Sequence, residues 1–259
     1  ETKPIIDVSG SSMILQALNY LPDFTEKIFV IRKDMMNSKE IGLKLKDNYP
    51  TSKIKFINGK TEGQAITALL GCKEIKKDKL SLPITIAACD SGSIYDEIKF
   101  SELSNNKDID IIVWSSKNHS NARRNPEMFG WIKSDENGLI QKISTKKPIS
   151  NKLNEHIVIG TFTFRNFEIF EKSSKAMIKR KGKINNEYFI DTCINDAIKL
   201  GYRCHIFEVQ SFISWGTPND LKTFHYWQST FHKWHYHKYR LENDRNIPKN
   251  SLSELKKYY

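Results

Sequence analysis

No run of apolar residues in this 259-residue chain approaches the roughly 18–20 needed to cross a bilayer, so the sequence spells no helical membrane span. Nothing at its start reads as a signal peptide, and a soluble protein is expected. There is no Cys-x-x-Cys pair. The four cysteines, Cys72, Cys89, Cys193 and Cys204, stand far apart in apolar surroundings, which argues against a disulfide framework and for reduced core thiols in a cytoplasmic protein. No internal repeat and no Gly/Pro-rich linker divides the chain into separate units. Acidic residues are the scarcer sign: 30 Asp+Glu against 41 Lys+Arg leave a formal charge of +11. Such a surplus favours polyanionic partners, whether nucleic acid, a membrane surface or phosphorylated small molecules. The lysines are scattered, however, and only Lys175 to Lys183 forms a compact basic run.

What is present is organised around Pro83-Ile-Thr-Ile-Ala-Ala-Cys-Asp-Ser-Gly-Ser93, an apolar run ending in an acidic, glycine-containing turn. The run predicts a buried central strand that delivers Asp90 to its carboxyl end, where ligands of open α/β sheets bind. The alternative for Asp90 is a simple turn cap.

Along the chain, βα units follow one another. Ser11 or Ser12 caps a first helix; strands are predicted at 28–31 and 54–57, with an amphipathic helix at 38–48 between them. Thr61-Glu-Gly-Gln-Ala65 opens a further helix, and the glycine allows close approach of a ligand or simply a tight turn. A strand at 109–114, a hairpin around Asp135-Glu-Asn-Gly138 and the polar stretch 144–154 come next. The strand 157–164 contains Gly160, which marks a bulge or a close approach to the backbone. Helices are predicted at 167–180 and 188–200, a strand at 204–209, and, capped by Thr217-Pro218, a long aromatic helix through Tyr239. The tail from Asn243 is expected to be loosely held. His232, His235 and His237 lack the i, i+4 spacing of helix-borne metal ligands. The aromatics at 224, 227, 231 and 234 predict either a core face or a surface for self-association.

Several stretches together resemble the sugar-phosphate nucleotidyltransferases. They are Lys3-Pro-Ile-Ile-Asp-Val-Ser-Gly-Ser-Ser-Met13, Thr61-Glu-Gly-Gln-Ala65, Ala88-Cys-Asp-Ser-Gly92, Phe129-Gly-Trp131, Lys147-Pro148, Ile159-Gly-Thr-Phe162, Asn186-Glu-Tyr-Phe-Ile-Asp191 and Trp215-Gly-Thr-Pro218. The ordered set, rather than any single motif, carries the resemblance, which extends to about residue 225. It implies an α/β fold of GT-A-like, Rossmann type, with a mixed, mainly parallel central sheet flanked by helices. Residues 1–220 would form that domain and 221–259 a C-terminal helix and tail. The implied reaction joins a sugar phosphate to a nucleoside triphosphate with release of pyrophosphate, serving surface polysaccharide synthesis, without nucleic acid or membrane insertion. The resemblance assigns Asp90 to Mg²⁺, Lys3 and Lys147 to the phosphates, and Gly63 and Gln64 to the base. Gly160 and Glu187 fall to the sugar, and Asp191, also on the substrate side, either replaces a carboxylate that the family carries elsewhere or simply caps its helix.

Three departures accompany it. The family's Gly-x-Gly-x-x-Arg loop, expected upstream of Lys3 with the first strand, is not in this sequence; without that strand the sheet is expected to have a gap at its centre. Ser214 stands where a second metal-binding aspartate is usual, and Lys146 where a glutamate is usual. A GT-A glycosyltransferase using a nucleotide sugar is a competing reading, weakened by the absence of Asp-x-Asp at the strand end. A non-catalytic nucleotide- or sugar-binding relative is another, favoured by the departures themselves.

Overall fold

A computed structural model describes residues 2–150 and 155–259; residues 151–154 of the polar stretch lie outside them. In chain order the elements are β1 (Asp7–Val8), β2 (Ser11–Ser12), α1 (Met13–Asn19), β3 (Ile28–Arg32), α2 (Ser38–Asn48), β4 (Lys53–Ile57), α3 (Gln64–Cys72), β5 (Ile84–Ile86), β6 (Ser91–Ile94) and α4 (Glu97–Asn105). The second half continues with β7 (Ile111–Ser116), α5 (Ser120–Arg124), β8 (Gly130–Ser134), β9 (Ile140–Thr145), β10 (His156–Phe164), α6 (Phe167–Lys179), α7 (Ile190–Lys199), β11 (Cys204–Glu208), β12 (Ser211–Ser214), α8 (Pro218–Lys233) and α9 (Leu252–Tyr258).

The main sheet has six strands in the order β11-β7-β10-β8-β9, with β5 also paired to β10. β5, β7 and β8 all run against β10, and β11 runs with β7. Four strands therefore share a direction although most pairings are antiparallel, because the opposed β10 lies among them. Its nine residues are buried except for the half-buried Gly160, as a strand covered on both faces requires. On one face Phe162, Phe164, Phe170, Met177, Ile190 and Ile194 join α3, α6 and α7 to the sheet. On the other, Trp114 is fully buried among Tyr95, Phe100 and Phe207.

β3 and β4 form a separate parallel pair. Among the described residues β5 hydrogen-bonds only to β10, and β3 only to β4, so no ladder joins the β3-β4 pair to the main sheet. Helix α3 spans the break. Its Gly71 lies so close to β3 that an added Cβ would sit 2.6 Å from Val30 Cγ2, while Ala65 and Cys72 join the core beneath the main sheet.

Four expectations change. The strand predicted across 83–93 is only three residues long and half-buried, and Ser91-Gly92-Ser93-Ile94 is not a turn but β6, held by pairing with β12. Helix α4, unremarked in the sequence because it buries only Phe100, is fixed by Asp96, whose carboxylate accepts from the N–H groups of Ile98 and Lys99. Helix α8 stops at Lys233 rather than Tyr239. The Arg240 guanidinium donates to the carbonyls of His235, His237 and Tyr239, which satisfies that segment outside a helix.

The tail is not loose either. Leu241, Ile247 and Leu255 form their own buried cluster, Ser251 Oγ donates to Gly10 O at 2.8 Å, and Gln16 Nε2 donates to Asn246 O at 2.9 Å. The aromatic stripe is divided: Phe224 packs edge-on against buried Trp215, whereas Trp227 and Trp234 remain 49% and 53% exposed. His237 stacks on both Phe231 and Trp234, and its Nδ1 accepts the Tyr239 N–H. Trp234→Glu is therefore expected to fold, with an unfolding free energy within about 1 kcal/mol of the parent. Urea denaturation checks this, and aggregation on expression would put the ring in the core instead.

Candidate functional site

The register of β10 creates the cleft. β5 accompanies β10 from Phe164 to Phe162 and stops; β8 accompanies it at Ile157 and His156. Between them, residues 158–161 lose their neighbour on that side. Gly160 sits in this interval with φ +84°, and a Cβ there would be 3.7 Å from Ala88. The expected bulge is thus present: the ladder to β7 shifts register between Val158 and Phe162.

Four residues beyond β5, Asp90 occupies one lip of the cleft. Its Oδ2 accepts from Lys3 Nζ at 2.9 Å, and its backbone carbonyl accepts the Trp215 N–H at 2.9 Å. Lys3 lies in a 3₁₀ turn, Lys3–Ile5, with Pro4 fixing the backbone. Two residues remote in sequence are thus brought together as expected. Because the pair is partly exposed, with side-chain accessibilities of 53% and 29%, it contributes about 1 kcal/mol at most. A phosphate can capture that ammonium at little cost. Beside it, burial and the Asp90 charge push the Cys89 thiol up to about 11, so it stays protonated.

The opposite lip is built by α7 and β8. Asp191 lies in the first turn of α7, but Phe189 is the capping position, so Asp191 is not a cap. Its Oδ2 lies over Gly130, where a Cβ would be only 2.2 Å away; any side chain at 130 would displace the carboxylate. Burial pushes Asp191 up to about 6, against a lesser opposite pull from Lys146. Glu187, four residues earlier, pairs with Lys60 at 3.2 Å.

Gly63 has a structural task. At φ +126°, a Cβ would meet Tyr188 N at 2.5 Å and Tyr188 O at 2.7 Å, because the strand-like segment around Tyr188 hydrogen-bonds to Glu62 O and Ala65 N. Gln64 is the first residue of α3. Gly63→Ala is expected to cost about 2–4 kcal/mol, since both obstructing atoms are backbone and the φ disfavours a side chain. An unchanged urea midpoint would remove this argument. Lys147 is exposed just past β9, with no ion pair among the described residues; its neighbour Lys146 donates to Met128 O at 2.7 Å. No contact ties Lys147 to Asp90.

Reading the sequence alone missed a second group near Asp90. Ser214 Oγ donates to Asp220 Oδ2 at 3.1 Å, and Asn121 Nδ2 donates to Asp220 Oδ1 at 2.7 Å. Asp220 is in the first turn of α8, where Thr217-Pro-Asn-Asp220 signals only a capped helix start. His119 lies nearby, wedged against Phe129 and Phe212; burial lowers its pKa, with Asp220 pulling the other way. Gly216 lies beside Asp90 and Ser214, with Asp220 behind the Ser214 hydroxyl. A Cβ on it would be 3.4 Å from Asp90 Oδ2 and 3.6 Å from Ser214 Oγ, which defines a small oxygen-lined space that only glycine leaves open. A hard cation that keeps most of its ligands from substrate phosphates and water fits such a donor set.

No family model and no curated protein matches the sequence. In fold the chain is similar to the nucleoside-diphosphate-sugar pyrophosphorylase of Vibrio cholerae RC9, with a TM-score of 0.68 and 16% identity over 86% of this chain and 91% of that one. It is similar also to the inositol-1-phosphate CTP transferase of T. maritima, with a TM-score of 0.61 and 14% identity over 86% of this chain and 84% of that one. A UDP-glucose pyrophosphorylase complexed with UDP-glucose gives a TM-score of 0.63 and 15% identity over 88% of this chain and 90% of that one. These likenesses establish the nucleotide-diphospho-sugar transferase-like α/β fold.

Proposed function

We propose that this chain is a nucleotidyltransferase that joins a phosphorylated sugar, or a related phosphorylated alcohol, to a nucleoside triphosphate. The observation that carries the reading is the gap beside Gly160 in the pairing of β10, bordered on one side by Ala88, two residues before the Lys3-paired Asp90, and on the other by Gly130 with Asp191 against it. One side offers a cation and a carboxylate of the kind that handle phosphates; the other offers the half-buried carboxylate of Asp191 and, once released from Lys60, that of Glu187 to accept sugar hydroxyls. The fold shared with the pyrophosphorylases supports it.

In the reaction, an oxygen of the sugar phosphate forms a bond to the α-phosphorus while the bond from that phosphorus to the β-phosphoryl oxygen breaks, its electron pair leaving with pyrophosphate. Catalysis of this type is largely positioning and neutralisation of charge. Lys3 moves its ammonium from Asp90 to a phosphate oxygen, and Lys147 supplies a second positive charge at the cleft's edge. Asp191 and Glu187 orient the sugar, with Glu187 leaving Lys60 to do so. Mg²⁺, held by Asp90, supplies charge neutralisation to the phosphates when bound. A role in making activated sugars for surface polysaccharide in the cytoplasm belongs to the same proposal.

The test is pyrophosphate release, measured with each common triphosphate against a panel of sugar 1-phosphates and polyol phosphates in the presence of Mg²⁺. Release dependent on both substrates supports the proposal. Tight nucleotide binding by calorimetry with no release from any pair would replace it with a binding module.

A further inference from the structure

We propose that Asp220 supplies the second negative charge of a divalent-cation cradle above Gly216, acting through the Ser214 hydroxyl as a positioning residue. The inference rests on the nucleotidyltransferase reading for its purpose but not for its geometry. Two oxygens face the space that Gly216 leaves, one from Asp90 and one from Ser214. Ser214 spends its proton on Asp220 Oδ2, and its oxygen accepts a long hydrogen bond from the Gly216 N–H at 3.4 Å, which leaves one hydroxyl lone pair for the cradle. The hydrogen bond therefore does two things: it orients a neutral oxygen donor, and it places a carboxylate directly behind it.

Charge makes the arrangement specific. Among the described residues Asp220 has no lysine or arginine partner; its carboxylate accepts from neutral groups, Asn121 Nδ2 and the Ser214 hydroxyl, while its backbone N–H donates to the capping Thr217 Oγ1. Asp90, by contrast, is balanced by Lys3. When Lys3 turns to a phosphate, Asp90 beside Gly216 and Asp220 behind Ser214 are left without a lysine or arginine partner among the described residues. A small hard cation restores the balance and reaches both, directly at Asp90 and through the hydroxyl at Ser214. Burial lowers the pKa of nearby His119, with Asp220 pulling the other way. The sequence thus carries its second acidic group six residues downstream of Ser214, on the first turn of a helix whose N-terminus further steadies the carboxylate.

Terbium(III), a hard oxygen-seeking ion, reports on the cradle without any substrate, because buried Trp215 stands in the chain between Ser214 and Gly216 and sensitises its luminescence. In titrations of the full chain, Asp90→Asn is expected to abolish the sensitised signal. Asp220→Asn, isosteric and able to keep the Ser214 contact, is expected to raise the apparent Kd by about tenfold or more. The double variant Ser214→Asp/Asp220→Asn, which moves the charge into the cradle itself, is expected to recover affinity to within about threefold of the parent. Thermal unfolding of each variant identifies loss of fold, and the double variant decides the matter if Asp220→Asn alone is unstable. Parent-like terbium affinity in folded Asp220→Asn overturns the proposal, as does a folded double variant no better than Asp220→Asn. Failure to release pyrophosphate would count against the proposed reaction and leave these titrations untouched.

Discussion

Asp90→Asn is expected to lower kcat/KM by about 10³-fold or more while leaving the fold intact. Removal of a group that engages the phosphates only as charge redistributes costs the transition state several kcal/mol, and each 1.4 kcal/mol is a factor of ten. Stability should change little. The side chain's one ion pair is with Lys3 and is partly exposed, while the backbone carbonyl that receives the Trp215 N–H is unaffected by the substitution. Steady-state kinetics with the cognate pair, together with triphosphate titration with and without Mg²⁺, reads both sides. Activity within tenfold of the parent would place the cation elsewhere.

The second large effect belongs to Asp191, and it runs in two directions. Its folded-state pKa is about 6 because burial penalises the charge, against about 3.9 for an unfolded aspartate. The native state therefore holds the proton more tightly. The resulting stabilisation is fully present below pH 4 and is lost as pH rises through 6, beyond which an ionised, half-buried carboxylate is carried at a cost of about 2–3 kcal/mol. Asp191→Asn removes that cost: no gain is expected at pH 4, and at pH 8 a rise in Tm of about 5 °C. The same change should reduce kcat/KM by about a hundredfold, since a strong acceptor for a sugar hydroxyl is lost. Matched melting curves at the two pH values test it, and a Tm at pH 8 no higher than the parent's would show that the carboxylate is not under strain.

Much of the architecture was legible because it is written in period. The runs at 28–31, 54–57, 157–164 and 204–209 are strands within a residue or so of expectation, and Gly201 and Thr217 mark helix boundaries as their chemistry requires. Asp90 and Gly160 stand out in the sequence because a strand end and a glycine inside a strand each leave a local trace, whereas Lys3 is singled out only by the resemblance of its Lys-Pro stretch. The reasons that only the fold supplies leave no such trace. Ser214 becomes meaningful only beside Asp220, and Gly130 only beneath Asp191; both are contacts across the fold. Gly63 was found for one reason and is needed for another, since its backbone leans on Tyr188. The basic run 175–183 is less available than its composition suggests, because Lys175 pairs with Glu171 and Lys183 with Glu62.

The way the C-terminal segment closes on the N-terminal one has a consequence in time. Ser9 Oγ donates to Gln228, Gln16 to Asn246 O, and Gly10 O accepts from Ser251, joining positions more than 200 residues apart. Closing loops of that length is entropically costly and late, and chains begin to fold from the N-terminus while synthesis continues. Lys3 leaves the ribosome well before the C-terminal segment, yet the platform behind it is complete only when α9 has docked. Proteolysis of the tail, remote from every residue proposed to touch substrate, would accordingly loosen the lip of the cleft that carries Lys3.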